Sequence, residues 1–308
     1  MHKQLEIVHT SDKAEALALL NAGYCGVELS IGGETVVLPD TPDAQIWDHH
    51  NQYAHLGSVG KRSYLPEFFG SRRLDPRFVV TGKGDADATL CVANLAGLLP
   101  HPSRAEEFSK MPWLAPSMTK DCSAYVEMVD RIDTRPYGVR LSETREGLLL
   151  LFWGRLMSGA NDATSFYAGV DHHRMILGAR PPEALIEATR IQDAERLRVV
   201  DEAGHTIVSD DVVLAVSPEW GMDVWWEIRP VVCWVNPGQM TDNLLISVRD
   251  VPTACRLFGP DGLGGILKSN PQLKGCGGHK DAGGGPRGAN ISAEHAHEIA
   301  KVLASVIK

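Results

Sequence analysis

The sequence predicts an α/β fold, with a mostly parallel sheet in an N-terminal domain and a smaller α/β domain after it. Three observations carry this. Short apolar runs alternate with helix-like stretches through roughly the first 200 residues, the pattern of strand–helix units that build a parallel sheet. Acids and histidines gather where those runs end. Beyond about residue 200 the apolar runs lie closer together and lead into a Gly/Pro-rich segment, so a second core is expected. The domains are placed at 1–195 and 205–308, joined by a charged, helix-prone stretch over 180–200.

Residues 5–9 form a short apolar strand. Asp12 then occupies an N-cap position, with Glu15 as its capping-box partner and Gly23 closing the helix. Residues 36–40 and 44–47 read as strands, each leading to an acid. Another strand, 78–80, precedes the loop 81–87 and a helix over 88–99. A helix at 122–132 runs into Asp130 and Asp133, and the apolar run 148–153 is a buried strand or helix. Later strands are expected at 206–208, 212–216, 231–235 and 244–248, with a final helix from Ser292. Sites in parallel sheets lie beyond the carboxyl ends of the strands. His9, Asp40, Asp48, Asp85 and Asp87 all fall at such ends.

The chain has 308 residues, 44% of them hydrophobic and 22% charged, the balance of a soluble globular protein. Its net charge of −9 argues against a partner in long nucleic acid and for a small ligand in a local basic pocket. Six scattered cysteines without a CxxC pair argue against a zinc ribbon and against a dense disulfide framework. With no signal-like start and no run of membrane-spanning length, a cytoplasmic enzyme is the expectation.

Asp48-His49-His50 follows a hydrophobic strand. At a strand end the chain turns, so adjacent side chains can converge on one ion, and carboxylate with imidazole suits Mn²⁺, Fe²⁺, Co²⁺ or Zn²⁺. A chance surface turn is the competing explanation in a chain with twelve histidines. Asp85 and Asp87 before a helix suit metal binding or plain capping equally well. Asp130 and Asp133 share a helix face at spacing three, and a salt-bridged terminus would account for them too. Gly277-Gly278-His279-Lys280, within a segment of many glycines, is the composition that lets backbone amides approach a phosphate. Arg249, after a strand, is a second candidate anion contact. Tryptophans 220, 225, 226 and 234 suit a base platform less well than a core.

Taken together, these features resemble the DHH phosphoesterase superfamily with its associated C-terminal domain. Asp48-His49-His50 matches the triplet that names the superfamily. Gly277 to Gly284 is similar to the glycine-histidine loop of the second domain, and Ser247-Val248-Arg249 to the strand before it. The resemblance spans nearly the whole chain. It implies a hydrolase of small phosphorylated substrates or short oligonucleotides, with its site in a cleft between two domains and two Mn²⁺-like ions. Asp40, Asp48, His49 and either Asp130 or Asp133 would hold metal, and His49 and His50 would be the catalytic pair. Arg249, Gly277, Gly278, His279 and Lys280 would grip substrate. No membrane partner is implied, and self-association is left open.

The chain departs from the pattern at the first motif, where only His9 and Asp12 offer donors. Asp85-Ala86-Asp87 resembles that motif but stands after the triplet instead of before it. Pairing it with a second triplet, Asp171-His172-His173, would restore the usual order, and residues 48–50 are favoured. The alternative functions are a metal-depleted binding protein of the same fold, or a member that takes a non-nucleotide anion.

Overall fold

The computed structural model describes residues 5–31, 34–38, 46–49, 57–65, 77–104, 118–134, 141–156, 162–178, 183–286 and 288–307. The chain divides into two compact units, the first being Met1–Thr134 with Leu141–Thr189 and the second comprising Arg190–Lys308.

The strands of the first unit are β1 (Glu6–His9), β2 (Cys25–Val27), a small hairpin of β3 (Ser30–Ile31) with β4 (Glu34–Thr35), then β5 (Ile46–Trp47) and β6 (Arg77–Val80). Four of these form one parallel sheet in the order β1–β6–β2–β5. Its helices are α1 (Lys13–Asn21), α2 (Val59–Ser63), α3 (Ala86–Leu95), α4 (Ser123–Thr134), α5 (Arg145–Leu156) and α6 (Ala163–Gly178). Both sheet faces are covered, as a parallel sheet requires. Side chains alternate along β6: Phe78 and Val80 join the core that α3 enters, whereas Val79 joins Ala16 and Leu20 of α1. From Asp87 to Leu95 every residue of α3 is buried.

Helix α7 (Glu183–Ala203) crosses the division between the units. The second unit adds β7 (His205–Ile207), β8 (Val212–Val216), α8 (Met222–Ile228), β9 (Val231–Val235), β10 (Leu244–Val248), α9 (Val251–Phe258), α10 (Gly262–Ser269), β11 (Gly277–Gly278), β12 (Ala282–Gly284) and α11 (Ala293–Val306). Its six strands make a mixed sheet, β11–β12–β10–β9–β8–β7, in which only β8 and β9 run parallel. Leu257, Leu263 and Leu303 pack on one face, and Met222, Trp225 and Trp226 on the other. Trp225 and Trp226 are core residues, Trp234 packs half-buried against them, and Trp220 is exposed.

Several expected elements change. Residues 36–38 form no strand, although Val36 is buried and its amide donates to Leu29 O; Asp40 lies outside the described residues. Helix α3 starts at Ala86 instead of residue 88, because Asp85 is its N-cap and accepts from Ala88 N. The run 148–153, for which sequence allows strand or helix, takes the helical alternative within α5. Asp12 caps α1 through Ala14 N and Glu15 N, while Glu15 turns to the Thr10 hydroxyl. All six cysteines are free. Among the described residues no helix is long and apolar enough to cross a membrane.

Candidate metal centre

Parallel register brings three strand ends to one edge. Val27 pairs with Trp47 and with Val80, so the residues following β2, β5 and β6 emerge together. The amide of Glu28 donates to Trp47 O at 2.7 Å, carrying the β2–β5 ladder one residue past the strand. Glu28 therefore stands beside Asp48 and His49. Its φ of 47° lies in the left-handed region, unusual for a residue with a side chain. Backbone strain of this kind, of order 1–3 kcal/mol, persists where surrounding structure holds it.

His49 is the hub. Its Nε2 lies 3.3 Å from Glu28 Oε1, and its Nδ1 lies 3.1 Å from Asp133 Oδ2 and 3.7 Å from Asp87 Oδ2. Glu28, His49 and Asp87 each offer a ligand atom, all within 4.8 Å of one another, and such a group can hold a metal ion. Apart from these approaches to the His49 ring, Glu28 Oε1 and Asp133 Oδ2 are buried with no hydrogen-bond partner. Buried carboxylate oxygens ordinarily have more than one partner, so these two have capacity left for a cation.

The acids disturb one another strongly. Burial pushes Glu28 well above the carboxylate range, and Asp85, Asp87, Asp133 and Asp48 push it further. Burial, then Asp133 and Asp85, raise Asp87 to about 8. Asp85 is solvent-exposed yet is also raised, by the protein around it and by Asp133. Burial disfavours the imidazolium of His49, but Asp133, Asp87 and Asp85 outweigh it and lift His49 to about 9. Like charges this close cannot all ionise without a cation among them.

The surrounding residues fix this arrangement. Asp87 accepts from Val59 N at 3.0 Å and Gly60 N at 2.9 Å, at the start of α2. Gly60 is required there, because a Cβ would lie 2.7 Å from Asp87 Oδ1. Asp48 is buried, and its Oδ2 accepts from Thr35 Oγ1 at 2.6 Å, so the hairpin β3–β4 holds it behind the three donors. Arg62 Nη2 donates to Asp48 O at 3.1 Å, and its guanidinium lies 5.4 Å from the Trp47 ring centre.

Of the residues expected from sequence, the structure gathers Asp48, His49, Asp85, Asp87 and Asp133. His50 and Asp40 lie outside the described residues. Asp12 is spent on capping α1, and His9 Nε2 bonds to Gly82 O at 2.9 Å. Asp130, on α4 with Asp133, takes Lys61 Nζ at 2.9 Å instead of joining the cluster. The second triplet sits within α6: Asp171 pairs with Arg174 at the surface, while His172 and His173 are buried. Glu28 was missed. Its only sequence signal is an acid directly after the apolar run 24–27.

In the second unit the glycine segment is a hairpin of β11 and β12. Val248 N donates to Asp281 O, which sets Arg249 at the same end of the sheet as the hairpin turn with His279 and Lys280. Both of these are exposed, and Arg249 Nε donates to Asp250 Oδ2 at 3.2 Å. Much of the glycine content has an internal cause. A Cβ on Gly278 would lie 2.2 Å from Ala282 O, and one on Gly264 of α10 would lie 2.6 Å from His279 O. At Gly277 nothing lies within 4 Å of that position.

No protein-family description, curated protein or solved structure matches this chain.

Proposed function

We propose that the chain is a divalent-metal-dependent phosphohydrolase acting on a small nucleotide or short oligonucleotide. The observation that carries the metal centre is the pair of buried oxygens, Glu28 Oε1 and Asp133 Oδ2, that only the His49 ring approaches. Glu28, His49 and Asp87 would hold the ion. Their oxygen and nitrogen donors suit Mn²⁺, Co²⁺, Fe²⁺ or Zn²⁺. A bound divalent ion supplies Lewis acidity, lowering the pKa of water and neutralising charge on a phosphoryl group. The backbone amides of Val59 and Gly60 orient Asp87, and the hydroxyl of Thr35 steadies Asp48.

Support for a phosphorylated substrate comes from the resemblance of the two signatures to the DHH phosphoesterases. In this scheme Arg249, His279 and Lys280 offset the charge of the non-bridging oxygens, and Gly277 leaves room for close approach. Elemental analysis tests the metal centre, together with a Mn²⁺ and Co²⁺ screen on oligonucleotides, cyclic dinucleotides, phosphoadenosine phosphate and pyrophosphate. At least one firmly held transition ion per chain and stimulated turnover of one substrate are expected. Less than one ion and no hydrolysis across the panel would assign a binding protein instead.

A further inference from the structure

We propose that His173 is a positioning residue of the metal centre: with Tyr125 it fixes the first turn of α3, which presents Asp85 and Asp87. This rests on the acidic cluster being a metal centre, but its geometry stands apart from that cluster. His173 is 1% exposed. Its Nε2 lies 3.0 Å from Ala86 O and 3.0 Å from Thr89 Oγ1, and its Nδ1 lies 2.7 Å from Tyr125 Oη. A carbonyl only accepts, so Nε2 carries the proton and Nδ1 accepts from the tyrosine. Burial and the neighbouring His172 hold the ring neutral, with its pKa down to about 3. No proton is left over for acid–base work.

The ring instead joins two helices. Ala86 lies between Asp85 and Asp87, and Thr89 Oγ1 passes the chain of hydrogen bonds on to Asp85 O at 2.5 Å. Tyr125 belongs to α4, which carries Asp133 further along. Two more contacts press α6 onto the same segment. Ser165 Oγ accepts from Gly84 N at 3.0 Å, and a Cβ on Gly169 would lie 2.5 Å from Thr89 Cγ2. The ring thus ties the turn bearing two acids of the cluster to the helix bearing a third. Groups that hold ligands in place typically change metal affinity about 10–100-fold when removed.

The test compares His173→Ala, His173→Asn and His173→Gln with Leu149→Ala, a core truncation in α5 that lowers stability by cavity formation. Two quantities are read well below the melting temperature: the Mn²⁺ dissociation constant, and amide exchange at Val59 and Gly60, whose hydrogens bond Asp87, in the metal-free protein. Glutamine places an N–H near the position of Nε2, whereas the shorter asparagine reaches only that of Nδ1. Expected are weaker Mn²⁺ binding by about 10–100-fold in the alanine and asparagine variants, faster exchange at both amides, and recovery in the glutamine variant. A positional rescue of this kind would not follow from packing alone. The proposal is overturned if both quantities in His173→Ala match Leu149→Ala, or if asparagine rescues as well as glutamine. Should the native chain bind no Mn²⁺, the metal centre itself is rejected, and the exchange of the two amides decides whether His173 positions Asp87.

Discussion

At the edge of the parallel sheet, acids crowd one imidazole, with two buried oxygens that only this ring approaches and a left-handed glutamate among them. At the end of the mixed sheet, cationic side chains lie beside acids or open to water, and the glycines around them pack against backbone. In sequence the second region is the more conspicuous. Physically the first is the more costly. Glycine richness reports a close approach of backbone, and here much of that approach is internal. Several acids buried around one imidazole have no such explanation in the packing, so they are the stronger sign of a ligand.

The largest effect that would sharpen this contrast is at Glu28. Glu28→Gln should weaken Mn²⁺ binding by at least about 100-fold, more than the loss of an outer partner. The same change should leave the stability of the metal-free chain within about 0.5 kcal/mol, since the Glu28 carboxyl is already held neutral there and glutamine keeps its shape. Calorimetric titration and thermal melts check the two outcomes. Arg249→Ala and His279→Ala should leave Mn²⁺ affinity unchanged and raise KM. Loss of metal in these variants would erase the distinction between the two regions.

Saturating metal is next in size. Mn²⁺ at a hundred times its dissociation constant should stabilise the chain by about 2.7 kcal/mol. A melting temperature indifferent to Mn²⁺, Co²⁺, Fe²⁺ and Zn²⁺ would contradict the metal assignment.

Two glycines of the hairpin provide a finer comparison. Gly278→Ala should destabilise the second unit by about 1–3 kcal/mol through overpacking, whereas Gly277→Ala should cost less than about 0.5 kcal/mol. Chemical denaturation measures both. If Gly277→Ala also abolishes hydrolysis in a stable chain, the hairpin edge touches substrate.

The pH response sharpens the contrast without any substitution. The unfolded chain releases the Asp87 proton near pH 4, while the folded, metal-free chain keeps it until about pH 8. The resulting loss of stability begins above pH 4 and is complete above pH 8. His49 acts in the same sense: its stabilisation is full below about 6.5 and is lost as pH rises through about 9. The metal-free melting temperature should therefore fall between pH 5 and 9, and bound metal should reverse that trend. A metal-free curve that rises over this interval would contradict the crowding.

Much of this was legible in the residues. Short apolar runs locate β1, β5, β6 and the central strands of the second sheet, and strand ends and helical spacing point to Asp48, His49, Asp85, Asp87 and Asp133. Glu28 escaped because β2 is three residues long and its neighbour carries no turn signal. Asp130 was grouped with Asp133 from helical spacing alone, yet Lys61 claims it. His173 looked like part of a repeated signature. Its role depends on contacts with Ala86 and Tyr125, far away in sequence, which no local pattern encodes.

The members of the cluster stand at positions 28, 49, 87 and 133, on four separate chain segments. No fragment shorter than this span contains them all, and no short peptide within it could capture the ion first and template the sheet. Occupancy by a cation would thus serve as a certificate that the first unit has finished folding, issued late and withdrawn as soon as one segment detaches.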